Sequence, residues 1–397
     1  MRNRIILLLA GTFLRYGTSL FAQSPPGTIL WTFNSGSQFT PAVASNGTIY
    51  LSPATGLCAI TNTGTSASNM WCFPAPITST PAVGTDGTIY FGGNNGFYAV
   101  NPDGTQEWFY GLSSKAGDPA IGFDGTIYFQ STEYLYALTE AGTLKWKSAM
   151  SFPAIHSAPA VGLDGTVFIA SSDERNLYAF NADGNRKWVR ELHTPPVGDS
   201  AVVGGDGTIY MTSLELYAFT REGTNLWRSG YFLGRSPVLS KDGSLFLVSS
   251  DYPYALYRVT SSGTASPTLA TESITYASPK CAAIDAAGTV WYCASNTVWA
   301  LDNTGQVLPW SQIIDPGYPS PNASPVIGPD GTLFLHGAIG STRSLRVPTV
   351  LRTRHGRCFA AIIGIQERSK NPRSSSPRSA RTRISSFSFT RSWVRPT

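Results

Sequence analysis

The stretch Leu177–Trp188 reads Leu-Tyr-Ala-Phe-Asn-Ala-Asp-Gly-Asn-Arg-Lys-Trp, and variants of it return along most of the chain. It joins a short apolar run to a tryptophan through a turn centred on glycine. The tryptophans recur about forty residues apart, and the double interval before the last one contains a repeat that lost its tryptophan. The tryptophans of this series are Trp31, Trp71, Trp108, Trp146, Trp188, Trp227 and Trp310.

Each repeat contains four apolar runs of four to six residues, rich in Val, Ile, Tyr and Phe and separated by Gly, Asp, Asn and Pro. Runs of this length and composition predict β-strands. An Asp-Gly pair such as Asp124-Gly125 separates the first run from the second, and both residues tolerate the backbone conformation of a tight hairpin turn. These aspartates are therefore interpreted as turn residues rather than as metal ligands.

A period near forty built from four short strands is typical of a β-propeller with one blade per repeat. We therefore predict an all-β fold, an eight-bladed β-propeller of four-stranded antiparallel blades. A blade cannot bury both of its apolar faces alone, so neighbouring blades must stack, and the tryptophans are expected to dock between them. The signals for the eight first strands are at Pro41, Pro81, Pro119, Pro159, Ser200, Pro237, Pro279 and Pro325.

The chain opens with an orphan fourth strand, Gly27–Trp31, which should complete the last blade and remove an open sheet edge. The propeller is predicted to span residues 27–340. The last blade is expected to be incomplete, because its repeat stops shortly after His336 and gives way to a basic segment.

These repeats resemble the pyrroloquinoline-quinone-type (PQQ-like) β-propeller family. The resemblance rests on Leu177–Trp188 and on Ala300-Leu301-Asp302-Asn303-Thr304-Gly305 through Trp310. That family includes quinone- and calcium-dependent alcohol dehydrogenases, the scaffold lipoprotein of the outer-membrane β-barrel assembly machinery and other secreted propellers. The resemblance implies the fold and leaves the activity open.

The quinone enzymes of that family carry a disulfide between adjacent cysteines, and the present sequence has no Cys-Cys pair. They are also longer, because insertions build the quinone chamber. We therefore expect a secreted or periplasmic, non-catalytic scaffold that binds a protein or glycan partner and needs no cofactor. The alternative is an oxidoreductase that depends on PQQ and calcium.

The loops after the second and fourth strands vary in length, whereas the turns after the first and third strands are short and uniform. Variation on one face of a regular scaffold is where binding specificity is expected. The candidate partner-binding residues on this face are Asn94, Asn95, Asp118, Glu133, His156, Asp173, Arg175, His193, Asp199, Tyr252, Tyr254 and Tyr276.

Several of these residues have two interpretations. His156 and His193 could converge near the axis as a catalytic or ligand-binding pair, or could be histidines of surface loops. Asp118 and Asp199 begin first strands, where they could be carboxylates at the channel mouth or caps of backbone N–H groups. The loop tyrosines could stack against sugars or peptides, or could anchor the loops.

Four cysteines form two local pairs, Cys58 with Cys72 and Cys281 with Cys293, each on strands expected to be neighbours in one blade. In an oxidising compartment these pairs could form disulfides. The alternative is buried free thiols, which are common core residues. Metal binding is not expected, because the cysteines lack metal-ligand spacing.

The two ends of the chain differ from the repeats. Residues 1–22 combine Arg2 and Arg4 with a short apolar run, which predicts a secretory signal peptide, and no later stretch predicts a membrane span. Residues 341–397 carry twelve Arg, one Lys and one acidic residue, whereas the remainder has a net charge of about −7. Such a basic, disordered tail could be an arm for nucleic acid. Its start inside a repeat favours a shifted reading frame, and nucleic acid is not the partner that we expect.

Overall fold

The computed structural model describes most of the chain. The described residues are 29–34, 36–37, 39–150, 157–171, 174–196, 200–231, 236–248, 255–270, 282–294, 297–309, 312–313, 325–336 and 341–345. The predicted signal peptide and all of the predicted tail after residue 345 lie outside these ranges.

The described residues form an all-β structure without helices, and seven blades of four antiparallel strands stand in a β-propeller arrangement. Strand β1 (Ile29–Asn34) precedes them. In chain order the blades are: blade 1, β2 (Ala42–Val43), β3 (Ile49–Leu51), β4 (Leu57–Asn62), β5 (Ala67–Phe73); blade 2, β6 (Ala82–Val83), β7 (Ile89–Gly93), β8 (Gly96–Val100), β9 (Gln106–Gly111); blade 3, β10 (Ala120–Ile121), β11 (Ile127–Gln130), β12 (Tyr134–Leu138), β13 (Leu144–Ala149); blade 4, β14 (Ala160–Val161), β15 (Val167–Ser171), β16 (Asn176–Phe180), β17 (Arg186–Glu191); blade 5, β18 (Val202–Val203), β19 (Ile209–Thr212), β20 (Glu215–Phe219), β21 (Asn225–Tyr231); blade 6, β22 (Val238–Leu239), β23 (Leu245–Val248), β24 (Ala255–Val259), β25 (Ala265–Ala270); and blade 7, β26 (Ala283–Ile284), β27 (Val290–Ala294), β28 (Thr297–Leu301), β29 (Gln312–Ile313).

The first strand of blade 7 begins at Ala283, and the predicted signal at Pro279 lies outside the described residues. In the other blades, the first strand starts one or two residues after the predicted signal. First strands of neighbouring blades contact one another, which identifies them as the innermost strands around the axis.

A further four-stranded sheet, here called the terminal sheet, combines the first described strand of the chain with the last three. It consists of β30 (Val326–Ile327), β31 (Leu333–His336), β32 (Ser341–Leu345) and β1, with β1 at the outer edge. The sequence predicts an incomplete last blade. This sheet nevertheless has four strands, because the first five residues of the predicted tail supply its third strand. Leu345 pairs with Leu333 there, at the position of the last apolar residue in other third strands.

Burial follows the position of a strand within its blade. All residues of β11 are buried, because a second strand is covered on both faces by neighbouring blades. The outermost strand β13 alternates between exposed and half-buried residues, since only one of its faces meets the next blade. The sequence pattern therefore changes from continuous apolar runs near the axis to alternation at the rim.

The core is divided into clusters of buried side chains that lie between consecutive sheets. Between blades 3 and 4, for example, Tyr128 and Leu135 pack with Val167 and Ile169. Clusters of the same kind join the terminal sheet to blade 7 on one side and to blade 1 on the other. Removal of apolar surface from water at these junctions is the main force that holds the blades together.

The tryptophans of the outer strands contact the next blade in a repeated geometry. The indole Nε1 of Trp146 donates to the carbonyl oxygen of Ala182 at 2.8 Å, and its ring lies against Gly184. The same hydrogen bond, to the residue two before a turn glycine, is made by Trp71, Trp108, Trp188 and Trp227. Trp31 donates instead to the side-chain oxygen of Asn62 at 2.9 Å. Trp310 lies outside the described residues.

Candidate functional site

The antiparallel order of strands divides the connections between two faces. The turns between first and second strands and between third and fourth strands lie on one face, here called the turn face. The connections from second to third strand and from one blade to the next lie on the opposite face, here called the loop face. On the turn face, Asp124 accepts the N–H of Thr126 at 3.1 Å and Gly125 has a φ of 80°. The aspartate of this pair thus serves the turn.

Three predicted face residues, Asn95, Glu133 and Arg175, occupy the same position in three consecutive blades. Each is exposed, and each backbone carbonyl accepts the N–H of the residue that follows the fourth strand of its own blade. The donors are Leu112 at 2.7 Å, Met150 at 2.7 Å and Leu192 at 2.6 Å. Because this bond fixes the backbone in the same way each time, the blades present an amide, a carboxylate and a guanidinium from equivalent points. Asn94, beside Asn95, is also exposed.

Arg175 is the one described residue other than glycine with a positive φ, at 57°. A long side chain in this left-handed conformation is uncommon and is held by the surrounding structure. The hydrogen bond from the backbone N–H of Leu192 to the carbonyl oxygen of Arg175 supplies that constraint. The result is a guanidinium that projects from a rigid turn of the loop face.

A hydrogen-bonded chain fixes the segment at His193, whose side chain is exposed. The backbone N–H of His193 donates to the hydroxyl oxygen of Tyr217 at 3.0 Å, and that hydroxyl donates to Glu215 Oε2 at 2.5 Å. Arg228 Nε lies 3.7 Å from Glu215 Oε1. Burial, followed by the bond to Glu215, raises the pKa of Tyr217. Sequence reasoning missed this group; an acidic residue at the start of a buried third strand was the available signal.

Asp118 links two blades beside the axis. Its Oδ1 accepts the backbone N–H of Thr80 at 2.7 Å. The residue is half-buried, but its carboxyl lies deep among protein atoms, and this burial raises its pKa to about 6. Ser200 accepts the N–H of Ala158 in the same way, at 2.9 Å. The geometry is that of a cap on the N–H of the preceding blade.

The remaining predicted face residues lie outside the described part of the chain. They are His156, Asp173, Asp199, Tyr252, Tyr254 and Tyr276. Each of the two suggested sets, His156 with His193 and Asp118 with Asp199, therefore has one member outside the described residues.

The cysteines differ between the two predicted pairs. Cys58 and Cys72 stand opposite each other in β4 and β5 and form a disulfide with an S–S distance of 2.03 Å. Cys293 is buried and is a free thiol among the described cysteines, while Cys281 is outside the described ranges. Burial raises the pKa of the Cys293 thiol, which keeps it protonated and unreactive.

Within the described ranges, no three or more His, Cys, Asp or Glu side chains are grouped so that they could hold a metal ion. In the same ranges, no helix is long and apolar enough to cross a membrane.

Comparison with known proteins gives one family and several similar solved structures. The family model described as outer membrane protein assembly factor BamB matches residues 19–263 and, in a second overlapping match, residues 98–312. This confirms the resemblance to the PQQ-like repeats. No curated protein sequence matches the chain.

Three solved structures illustrate the fold. BamB from Moraxella catarrhalis has a TM-score of 0.63 at 15% identity, over 82% of this chain and 99% of that one. Virginiamycin B lyase from Staphylococcus aureus has 0.54 at 14% identity, over 80% and 99%. The computationally designed Ika8 protein has 0.65 at 11% identity, over 81% and 99%. At these identities the similarity shows the fold alone.

Proposed function

We propose a binding function from the premise that the chain belongs to the family of the outer membrane protein assembly factor BamB. The proposed protein is a secreted or periplasmic, non-catalytic scaffold that holds a protein or glycan partner on its loop face. The name of the family describes an assembly factor, and this supports a role in binding rather than in chemistry.

The observation that carries the proposal is the row formed by Asn95, Glu133 and Arg175. Their backbones are fixed by the same hydrogen bond in three consecutive blades, whereas their exposed side chains differ in charge and shape. A rigid repeated frame with varied side chains presents a preorganised surface, which lowers the entropic cost of binding. On the turn face, by contrast, the repeated Asp-Gly pairs form hydrogen bonds within their own hairpins.

We further propose that the terminal sheet is the eighth blade of a closed ring. Trp31 stands opposite Ser344 with a β-bulge beside it, as Trp108 stands opposite Ala99. The rings of Trp31 and Phe334 are 5.9 Å apart, close to the 5.8 Å between Trp108 and Tyr90. Closure removes exposed sheet edges and makes the loop face a rigid disc.

The experiment compares two charge-matched double variants. Glu133→Gln with Arg175→Asn alters the loop face, and Arg186→Asn with Glu222→Gln removes one charge of each sign from exposed positions of the turn face. Asn is chosen at position 175 because it tolerates a positive φ. A partner is first identified by photo-crosslinking from positions 95 and 133 and by a glycan array, and its affinity is then measured with purified protein.

We expect the loop-face pair to weaken binding at least tenfold and the turn-face pair to leave it unchanged. Equal affinities for both pairs would contradict the proposal. Addition of PQQ and calcium to the purified protein tests the oxidoreductase alternative. A shifted quinone absorbance together with a higher melting temperature would support that alternative instead.

A further inference from the structure

A cleft of about 240 Å³ opens on the turn face between blades 4 and 5. Its walls combine apolar side chains, a glycine-rich backbone and an ion pair. The residues that matter for its chemistry are Leu163, Asp164, Phe168, Val203, Gly205 and Arg221. It lies on the opposite face from the proposed partner-binding row, so it is independent of that proposal.

At one turn position the wall of the cleft has no side chain. Gly205 stands where blade 2 has Thr85 and blade 4 has Leu163, and a Cβ added to Gly205 would meet no atom within 4 Å. On the facing hairpin, Leu163 is 64% exposed. A large apolar side chain left in water beside an unfilled space forms an apolar wall that a ligand can cover.

Arg221 gives the cleft one cationic group to which an anion can bind. Arg221 Nε lies 3.8 Å from Asp164 Oδ2, and its Nη2 would be 3.1 Å from a Cβ on Gly207, which also lines the cleft. Burial opposes ionisation of Asp164, but hydrogen bonds from Thr166 and the charges of Lys187 and Arg221 leave its pKa below the ordinary value. Among the lining side chains, one cation, Arg221, accompanies one carboxylate, Asp164, and Lys187 acts on Asp164 from outside the lining. A ligand carboxylate can bind Arg221 with little competition, because the existing ion pair is long and exposed.

The size of the cleft excludes a large cofactor. A volume of about 240 Å³ is below the ~300–1,000 Å³ of sites that enclose drug-sized ligands. It suits one aliphatic side chain between Leu163 and Val203, with an anionic group near Arg221. We propose that the cleft binds a peptide segment in which an aliphatic side chain stands beside a carboxylate. That carboxylate is either a free C-terminus or a neighbouring acidic side chain.

Calorimetric titration with three probe peptides tests the proposal and separates the two sources. The probes are acetyl-Ala-Ala-Leu with a free carboxylate, the same peptide as its C-terminal amide, and acetyl-Ala-Leu-Asp amide. We expect the neutral amide to bind at least tenfold more weakly than one or both acids, since it cannot form the charge-assisted hydrogen bond to Arg221. The acid that binds more tightly identifies the source.

Variants then locate the binding. Gly205→Leu should fill the cleft and abolish binding, whereas Thr85→Leu, which places a leucine at the matching turn of blade 2, should not affect it. Asp164→Asn should strengthen binding of the acids, because it frees Arg221; a merely structural role of this pair predicts no gain. Melting curves establish that each variant is folded, and Leu163→Ala provides a second test of the apolar wall.

Two results would overturn the proposal: no heat from either acid at millimolar concentration, or equal binding by the wild type and Gly205→Leu. Neither result bears on the loop-face partner, whose affinity is measured with different variants.

Discussion

The guanidinium Nε of Arg258 donates a hydrogen bond to the carbonyl oxygen of Asn303 at 3.0 Å, across the junction of blades 6 and 7. At the preceding junction this place is filled by the indole of Trp227, which donates to Ser261 at 2.8 Å. Blade 6 is the repeat that lost its tryptophan, and Thr268 lies against the turn glycine there instead.

In most blades, the third-strand residue opposite the tryptophan is an alanine, as Ala218 is opposite Trp227. Arg258 occupies this third-strand position in blade 6. The missing indole leaves room for a long side chain, and the arginine takes over its hydrogen bond. Arg258 Nη2 also contacts Asp242 Oδ2 at 3.0 Å. Within this repeat, the arginine in the third strand therefore compensates for the tryptophan that is missing from the fourth.

Arg258→Ala should lower the free energy of unfolding by about 1.5–3 kcal/mol, because it removes a charged donor from a junction between blades. Urea denaturation measures the loss. Lys145→Ala is the control, since Lys145 binds Asp124 within its own blade at 3.1 Å and such an exposed pair contributes ~0–1 kcal/mol. Equal losses for the two variants would show that Arg258 does not replace the tryptophan.

Gly184→Ala should destabilise the protein more than Gly64→Ala. Both glycines occupy the same turn position with positive φ, 88° and 85°, so both variants incur the left-handed penalty of about 1–2 kcal/mol. Only at Gly184 would the new Cβ meet the ring of Trp146, at 2.5 Å, whereas at Gly64 no atom lies within 4 Å. Overpacking should add roughly 1–3 kcal/mol, measured by chemical denaturation. Indistinguishable midpoints would argue against close docking of this indole.

The stability contributed by Asp118 should decrease as the pH rises toward neutrality. Its folded-state pKa of about 6 is above the ordinary value of 3.8, so the folded protein binds this proton more tightly than the unfolded chain. Stability is therefore greatest below pH ~4 and is lost as the pH rises through about 6. Asp118→Asn keeps an oxygen for the N–H of Thr80 and should melt higher than the wild type at pH 7.5, but not at pH 4.

Asp103→Asn is the control, because the stability contributed by Asp103 should depend on pH in the opposite direction. Hydrogen bonds from Thr105 lower the pKa of Asp103, so its contribution is present at neutral pH and lost in acid. An equal difference between Asp118→Asn and the wild type at both pH values would contradict a raised pKa of the Asp118 carboxyl.

Reduction of the Cys58–Cys72 disulfide should lower the free energy of unfolding by about 3 kcal/mol. The bond closes a short loop of sequence separation 14, and it restricts the unfolded chain accordingly. The double variant Cys58→Ala with Cys72→Ala should show the same loss and should be insensitive to reductant. A stability unaffected by reductant in the wild type, with the bond verified by mass spectrometry, would contradict this prediction.

The sequence by itself determined the repeat, the strands and the turns, because these depend on local properties. A glycine such as Gly184 appears where the backbone needs positive φ, and apolar runs such as Ile127–Gln130 predict strands that are buried on both faces. Loop lengths also separated the two faces and pointed to Asn95, Glu133 and Arg175. That these three occupy one position with one hydrogen bond was visible only in the structure.

Tertiary structure alone decided which distant residues meet. Strand β1 pairs with Ser341–Leu345, a segment whose composition suggested no strand. Similarly, the cleft at Gly205 depends on what the neighbouring blade places opposite it. Such contacts join residues far apart in the chain, and their energy comes from packing and desolvation that no local pattern encodes.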